Sequence, residues 1–277
     1  MIFRDRGIEI KTREQILAMR KAGLVVGRTL ELLRGAVQAG ITTGELDAMA
    51  EDNIRSSGAT PSFKGYHGFT GSICASVNDE IVHGIPGDRV LADGDLISID
   101  CGAIVDGWHG DAAITVPVGG PEAVADELLE LARVCEESMW RGFAAARLGG
   151  RLSDISAAVE AHVRANSSYG IVEDFVGHGI GSAMHQPPNV PNFGRPGKGP
   201  KLVEGMALAV EPMLTLGQQE NHTLDDDWTV VTDDGQAAAH TEHTFTLTPQ
   251  GPWVLTAIDG GEAKLAELGV KFGPLAD

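Results

Sequence analysis

Leu91-Ala92-Asp93-Gly94-Asp95-Leu96-Ile97-Ser98-Ile99-Asp100 and Leu202-Val203-Glu204-Gly205-Met206-Ala207-Leu208-Ala209-Val210-Glu211 echo one another at a constant offset of 111 residues. Each copy carries a glycine turn and then an apolar run that closes on a carboxylate. A shorter echo pairs His83-Gly84-Ile85 with His178-Gly179-Ile180. An acid-tipped strand in both parts of a chain predicts two related α/β halves that face each other and aim matched acids at one centre. Helical patterns precede each copy. Thr12-x-x-Gln15 is a capping box, followed by Ile16, Met19, Gly23, Val26, Leu30 and Leu33 at helical spacing. Leu46, Ala50 and Ile54 mark one face of a second helix from about Thr43. Val124, Leu128, Leu131, Cys135 and Met139 mark the buried side of a third after Pro121, and Ser153 is expected to cap a fourth through Ile155, Val159 and Val163. Gly149-Gly150 separates approximate halves 1–148 and 151–277, but no linker or low-complexity segment divides the chain, so 1–277 reads as a single domain.

Around the first acid, Leu96 to Val118 holds two strand-like runs on either side of Asp106-Gly107, a strong two-residue hairpin signal. A two-residue turn there sets Val105 opposite Trp108, Gly102 opposite Asp111 and Asp100 opposite Ala113. Opposed residues share a face, as do residues two apart on one strand, so Asp100 and Asp111 point the same way as diagonal neighbours. Two anions so close on apolar strands repel unless a cation lies between them. For this pair alone, an exposed hairpin face with solvated acids explains the sequence equally well.

Composition narrows the setting. The chain has 277 residues, 43% of them apolar and 22% charged, enough to build a large core. Lys and Arg total 21 against 39 Asp and Glu, a formal charge of −18. That balance argues against a nucleic-acid binder, which needs a basic surface, and against docking on anionic lipid; it favours cations. Cys74, Cys101 and Cys135 are odd in number and far apart, forming neither a disulfide framework nor a zinc pattern, so a reducing, cytoplasmic setting is expected. Met1-Ile2-Phe3-Arg4-Asp5-Arg6 lacks the apolar core of a secretory leader. No run approaches the ~18 apolar residues of a membrane helix.

Further acids and a histidine join the hairpin pair. Glu211 ends the second copy of the echo. Glu242 lies in the alternating strand Thr241-Glu242-His243-Thr244-Phe245-Thr246-Leu247, and His178 in Gly177-His178-Gly179-Ile180-Gly181. Singly, a strand Glu usually faces water and a glycine-flanked His is usually structural. Jointly, Asp100, Asp111, Glu211, Glu242 and His178 offer too many oxygens for a structural zinc site, and no phosphate-loop or dinucleotide-loop spacing is present. Four carboxylates balance two divalent cations, with Mn(II), Fe(II), Co(II) and Zn(II) all open. Ion pairs about 3.5–4 Å apart activate water for hydrolysis.

The stretches Val82-His83-Gly84-Ile85-Pro86, Ile99-Asp100, His109-Gly110-Asp111, Gly177-His178-Gly179-Ile180-Gly181 with His185, Val210-Glu211-Pro212-Met213 and Thr241-Glu242-His243-Thr244 resemble the type I methionine aminopeptidases of the pita-bread superfamily, from about residue 10 to 250. The resemblance implies an α+β pita-bread fold: two pseudo-twofold halves, a central antiparallel sheet, outer helices, and one catalytic domain. It implies two divalent ions held by Asp100, Asp111, His178, Glu211 and Glu242. Glu211 would also take the proton of the attacking water. His185 would steady the carbonyl oxygen as charge develops on it, and His83 would contact the scissile amide and help protonate the leaving nitrogen. Tyr66, Phe69, Cys74, Phe175 and Trp228 would line an apolar pocket suited to an unbranched thioether, with His67 nearby. Phe63 and Met184 depart from the commoner family residues, which bears on selectivity. The implied substrates are N-terminal Met peptides and nascent chains met near the ribosome, by a monomer that binds neither nucleic acid nor membrane.

Two alternatives compete. X-Pro-cleaving relatives normally carry a further N-terminal domain, and only 65 residues precede Tyr66 here. Non-catalytic pita-bread binding proteins lose metal ligands, whereas all five positions are filled. The 33 residues from His178 to Glu211 leave no room for the helical insertion of the type II enzymes.

Overall fold

The computed structural model describes residues 7–275; Met1–Arg6, read above for a leader, and the last two residues lie outside the described residues. The hairpin forms in the expected register. Leu96–Val105, the Asp100 strand, pairs antiparallel with Trp108–Pro117, the Asp111 strand, and Val105 faces Trp108, Gly102 faces Asp111 and Asp100 faces Ala113. Asp106 and Gly107 both take positive φ, 52° and 83°, as a two-residue turn of this type requires.

The second copy of the echo builds the matching pair. Ala207–Val210, which leads into Glu211, pairs antiparallel with Glu242–Thr248, the Glu242 strand. The two strand pairs meet along their inner strands, where Glu242 faces Ala113 and His243 faces Ala112. Among the described residues this sheet has nine strands, with Thr60–Pro61 and Ile73–Val77 flanking the Asp100 strand and Gly177–Gly179, the His178 strand, flanking the Glu211 side. A pseudo-twofold therefore passes between the Asp111 and Glu242 strands. The shorter echo does not share it. His83 stands in the left-handed region, with φ 62°, whereas His178 lies in a strand.

Helices cover one face of the sheet. α1 (Arg13–Ala36) and α2 (Thr43–Ser56) precede the hairpin; α3 (Asp126–Ala145) and α4 (Leu152–Asn166) precede the second strand pair. α1 and α2 both begin with a capping box, on Thr12 with Gln15 and on Thr42 with Glu45. α3 begins beyond Val124, which is buried just outside it. Ser153 does not cap α4. The cap stands two residues earlier, at Arg151, where the Asp154 carboxylate accepts from the Arg151 amide, and the Ser153 hydroxyl accepts from the Lys198 amide instead.

Burial of each apolar helix face supplies the driving force of the fold. Val26, Leu30, Leu33, Leu46 and Ile54 pack with Ile97, Ile99 and Ile114. Met139, Phe143, Ile155 and Val159 pack with Leu208, Val210 and Phe245. α1 lies directly on bare backbone: a Cβ on Gly23 would stand 2.2 Å from the Leu255 carbonyl, and one on Gly110 2.7 Å from the Gly23 nitrogen. No helix among the described residues is long and apolar enough to cross a membrane.

Candidate metal centre

Strand register alone puts the four acids together. Asp100 faces Ala113, Ala113 faces Glu242, and Asp111 lies two residues from Ala113 on the same strand. Glu211 and Glu242 extend the ladder in which Val210 faces His243. By the two-residue period of a strand, all four carboxylates share the sheet face away from the helices. The Asp111 backbone is locked to the neighbouring strand, its amide donating to Thr244 Oγ1 at 3.2 Å and its carbonyl accepting from that hydroxyl at 2.8 Å.

His178 enters from the adjoining strand. Its Nε2 lies 3.4 Å from Glu211 Oε1, 3.9 Å from Glu242 Oε1 and 4.0 Å from Asp111 Oδ2. Its Nδ1 stands 3.0 Å from the Gly179 carbonyl, a contact only a protonated Nδ1 can make, so Nε2 presents a lone pair to the acids. The flanking glycines serve the backbone: a Cβ on Gly177 would meet the Ala209 carbonyl at 2.4 Å, and one on Gly179 the Pro187 carbonyl at 2.2 Å.

The electrostatics are those of a cation site. Burial, with the Glu211 charge adding to it, pushes Asp100 up to about 7. Burial pushes Glu211 up to about 8. Asp111 and Glu242 are raised well above the carboxylate range by burial first and by their neighbouring acids second. Burial, and then the nearby His185, holds His178 down at about 3. Asp100 Oδ1, Asp111 Oδ1, Glu242 Oε1 and His240 Nε2 are buried with no hydrogen-bond partner among the described residues. Several buried carboxylates and a neutral imidazole with orphaned donor atoms fit divalent ions, which supply both the missing partners and the missing charge.

The acids form the floor of a cavity whose walls are apolar. Phe63, Phe69, Cys74 and Met184 pack together there, with Tyr66 and Trp228 against them. Phe69 and Trp228 meet edge to face at 5.0 Å. His83 borders the same cavity in its left-handed conformation, its ring 5.5 Å from Phe175, and Phe175 lines an adjoining recess. His185 lies across the mouth, its ring 4.3 Å from that of His178 and its Nδ1 2.9 Å from the Tyr66 hydroxyl. His67 is exposed and touches the edge of Tyr66, outside the cavity lining. Phe63 and Met184 are part of the wall itself, 6% and 4% exposed.

One residue at the centre escaped the sequence analysis. His240 is buried, and its Nε2 stands 3.6 Å from Glu211 Oε2 and 4.0 Å from Glu242 Oε2. Alternation was the signal that could have found it, because residues 240 and 242 of an extended segment share a face.

The model of metallopeptidase family M24 matches residues 17–249. The chain belongs to metallopeptidase family M24. This M24 chain is 51% identical over 251 residues to the methionine aminopeptidase of Clostridium perfringens, covering 91% of this chain and 99% of that relative. It is 51% identical over 257 residues to methionine aminopeptidase 1 of Mycobacterium tuberculosis, covering 91% and 96%. The crystal structure of methionine aminopeptidase from Thermotoga maritima superposes with a TM-score of 0.87 at 37% identity, over 90% of this chain and 99% of that one. Prolidase from Pyrococcus furiosus shares the fold, with a TM-score of 0.71 at 22% identity over 65% of its own length. The M24 chain thus has the pita-bread fold that its sequence motifs imply.

Proposed function

We propose that the chain removes the initiator methionine from newly made proteins, as a single catalytic domain across 1–277 acting as a monomer in the cytoplasm. It is a hydrolase, a metallo-aminopeptidase. The observation that carries the reading is the placement of four carboxyls and His178 on the floor of a narrow apolar cavity. Asp100, Asp111, His178, Glu211 and Glu242 would hold two divalent ions, drawn from Mn(II), Fe(II), Co(II) and Zn(II). When bound, such ions polarise the substrate carbonyl and make water nucleophilic at neutral pH.

The remaining work falls to the chain's own side chains. Phe63, Phe69, Cys74, Met184 and Trp228 seat the unbranched methionine thioether, for which sulfur against ring edges is favourable. Glu211 faces the cavity and accepts the proton of the attacking water, then passes it to the departing amine. The Tyr66 hydroxyl lies 2.9 Å from His185 Nδ1; in the tautomer in which the hydroxyl donates there, His185 Nε2 carries the proton that would steady the developing oxyanion. His83, held down at about 4 by burial, is neutral near pH 7 and borders the scissile amide.

The test is methionine release from a Met-Ala-Ser peptide, using protein stripped with chelator and resupplied with each metal in turn, beside an X-Pro peptide lacking methionine. Cleavage of the Met peptide alone, restored by metal, is expected. Asp111→Ala and Glu211→Gln should each lower kcat by at least about a hundredfold, the scale of a lost acid–base group, with the far-ultraviolet circular dichroism unchanged. Full activity in either variant would sink the mechanism.

A further inference from the structure

The two glutamates of the centre each present two oxygens, and the structure sorts them. Oε1 of Glu211 and Oε1 of Glu242 face His178, at 3.4 and 3.9 Å. Oε2 of Glu211 and Oε2 of Glu242 face His240, at 3.6 and 4.0 Å. The spans match on both sides. They exceed hydrogen-bond length or sit at its limit, but donors held about 2.0–2.2 Å from a common ion are themselves roughly 3–4 Å apart.

Among the described residues His240 has no other partner for this nitrogen. Nε2 is buried without a hydrogen bond, in a residue only 2% exposed. Burying a polar nitrogen unpaired costs free energy, so its position calls for a ligand. The backbone holds the ring where it is. The His240 amide donates to Ser98 Oγ at 3.1 Å and Thr115 Oγ1 at 3.2 Å, and its carbonyl accepts from Thr115 Oγ1 at 2.8 Å. Ser98 and Thr115 are opposed partners on the Asp100 and Asp111 strands. His240 is thus anchored to the hairpin that carries the first two acids.

We infer that His240 is a sixth protein donor of the centre: its Nε2 joins Glu211 Oε2 and Glu242 Oε2 around one divalent ion, as His178 joins the two Oε1 atoms around the other. The assignment rests on the dimetal reading above and adds to it one imidazole, so that each ion has one. Asp111, His178 and Glu242 converge on one side and Glu211, His240 and Glu242 on the other, which gives the two half-sites similar nitrogen and oxygen sets and so reduces the spread between their affinities.

The experiment is a calorimetric Co(II) titration of chelator-stripped full-length protein. Wild type is compared with His240→Ala, His240→Gln, His178→Ala and the double variant His178→Ala/His240→Ala. Wild type should bind two Co(II). Each His240 variant should weaken one binding step by at least about tenfold, the scale of a perturbed metal shell, and the double variant should weaken both steps. A His240→Ala protein that titrates like wild type overturns the assignment; if wild type still binds Co(II) and releases methionine, the functional reading stands. A wild type that binds no divalent ion sinks both. Should His240→Ala fail to fold, Co(II)-loaded wild type decides by nuclear magnetic resonance. Two hyperfine-shifted imidazole N–H signals are expected, and a single one overturns the inference.

Discussion

Asp111 is 3% exposed, touches other acids, and has one oxygen without a hydrogen-bond partner. Such a residue weakens the fold unless a cation joins it, so the site's ionisation should be visible in stability. Asp100 and Glu211 titrate in the folded protein at about 7 and about 8, against ordinary values of 3.8 and 4.5, and Asp111 and Glu242 lie higher than their ordinary values in the same sense. Each favours the folded state while protonated and loses that contribution as pH rises towards its folded value. His178, His83, His109 and His243, held by burial at about 3, 4, 4 and 4, act oppositely, but only below their ordinary 6.5. Above pH 6.5 these histidines no longer contribute, and the four raised acids of the centre set the sign. Chelator-treated protein should therefore lose thermal stability between pH 6.5 and 8, measured as Tm by differential scanning fluorimetry. A saturating divalent ion should abolish the slope and add about 2.7 kcal/mol at a hundred times its Kd. A chelated protein whose Tm is level across that range would contradict a cluster of mutually repelling acids.

At the scale of elements, the hairpin was legible because register there is a local property. Asp106-Gly107 selects a two-residue turn, and the turn dictates every pairing from Leu96–Pro117 to Val105–Trp108. The capping boxes at Thr12 and Thr42 were equally local. Ser153 misled because a cap residue signals a helix start only to within a residue or two, and here Asp154 bonds the Arg151 amide. The reason for Gly23 was not local either. In α1 it admits the Leu255 carbonyl, which a Cβ would approach to 2.2 Å. Gly23→Ala should destabilise the protein by about 1–3 kcal/mol through overpacking. Gly35→Ala in the same helix, where a Cβ meets nothing within 4 Å, should stabilise it by about 0.4–1 kcal/mol. Urea denaturation of the pair checks both, and equal effects would mean that α1 does not seat on bare backbone.

At the scale of the molecule, the segment before α1 ties the two halves together. Glu9 accepts from the Ser182 amide at 3.0 Å and its hydroxyl at 2.6 Å, and the Lys11 amide donates to the Gly205 carbonyl at 2.8 Å. Burial alone would raise Glu9, but the Ser182 hydrogen bonds outweigh it and draw the carboxyl down to about 2. Its contribution is present above its ordinary 4.5 and is lost as pH falls towards 2. Glu9→Gln should accordingly lower Tm near neutral pH, and the gap from wild type should close as the pH drops from 4.5. A gap that persists undiminished at pH 2.5 would show that the Glu9 charge does not matter. The duplication, the hairpin register and the sharing of a face by Asp100 and Asp111 were all determined by the sequence, because each depends on neighbours along one chain segment or on a repeat visible in it. The convergence of Glu211, Glu242, His178 and His240 on that face was decided by tertiary structure. It depends on which strands adjoin across the pseudo-twofold, and the burial that makes those groups seek a cation exists only once the sheet has closed over them.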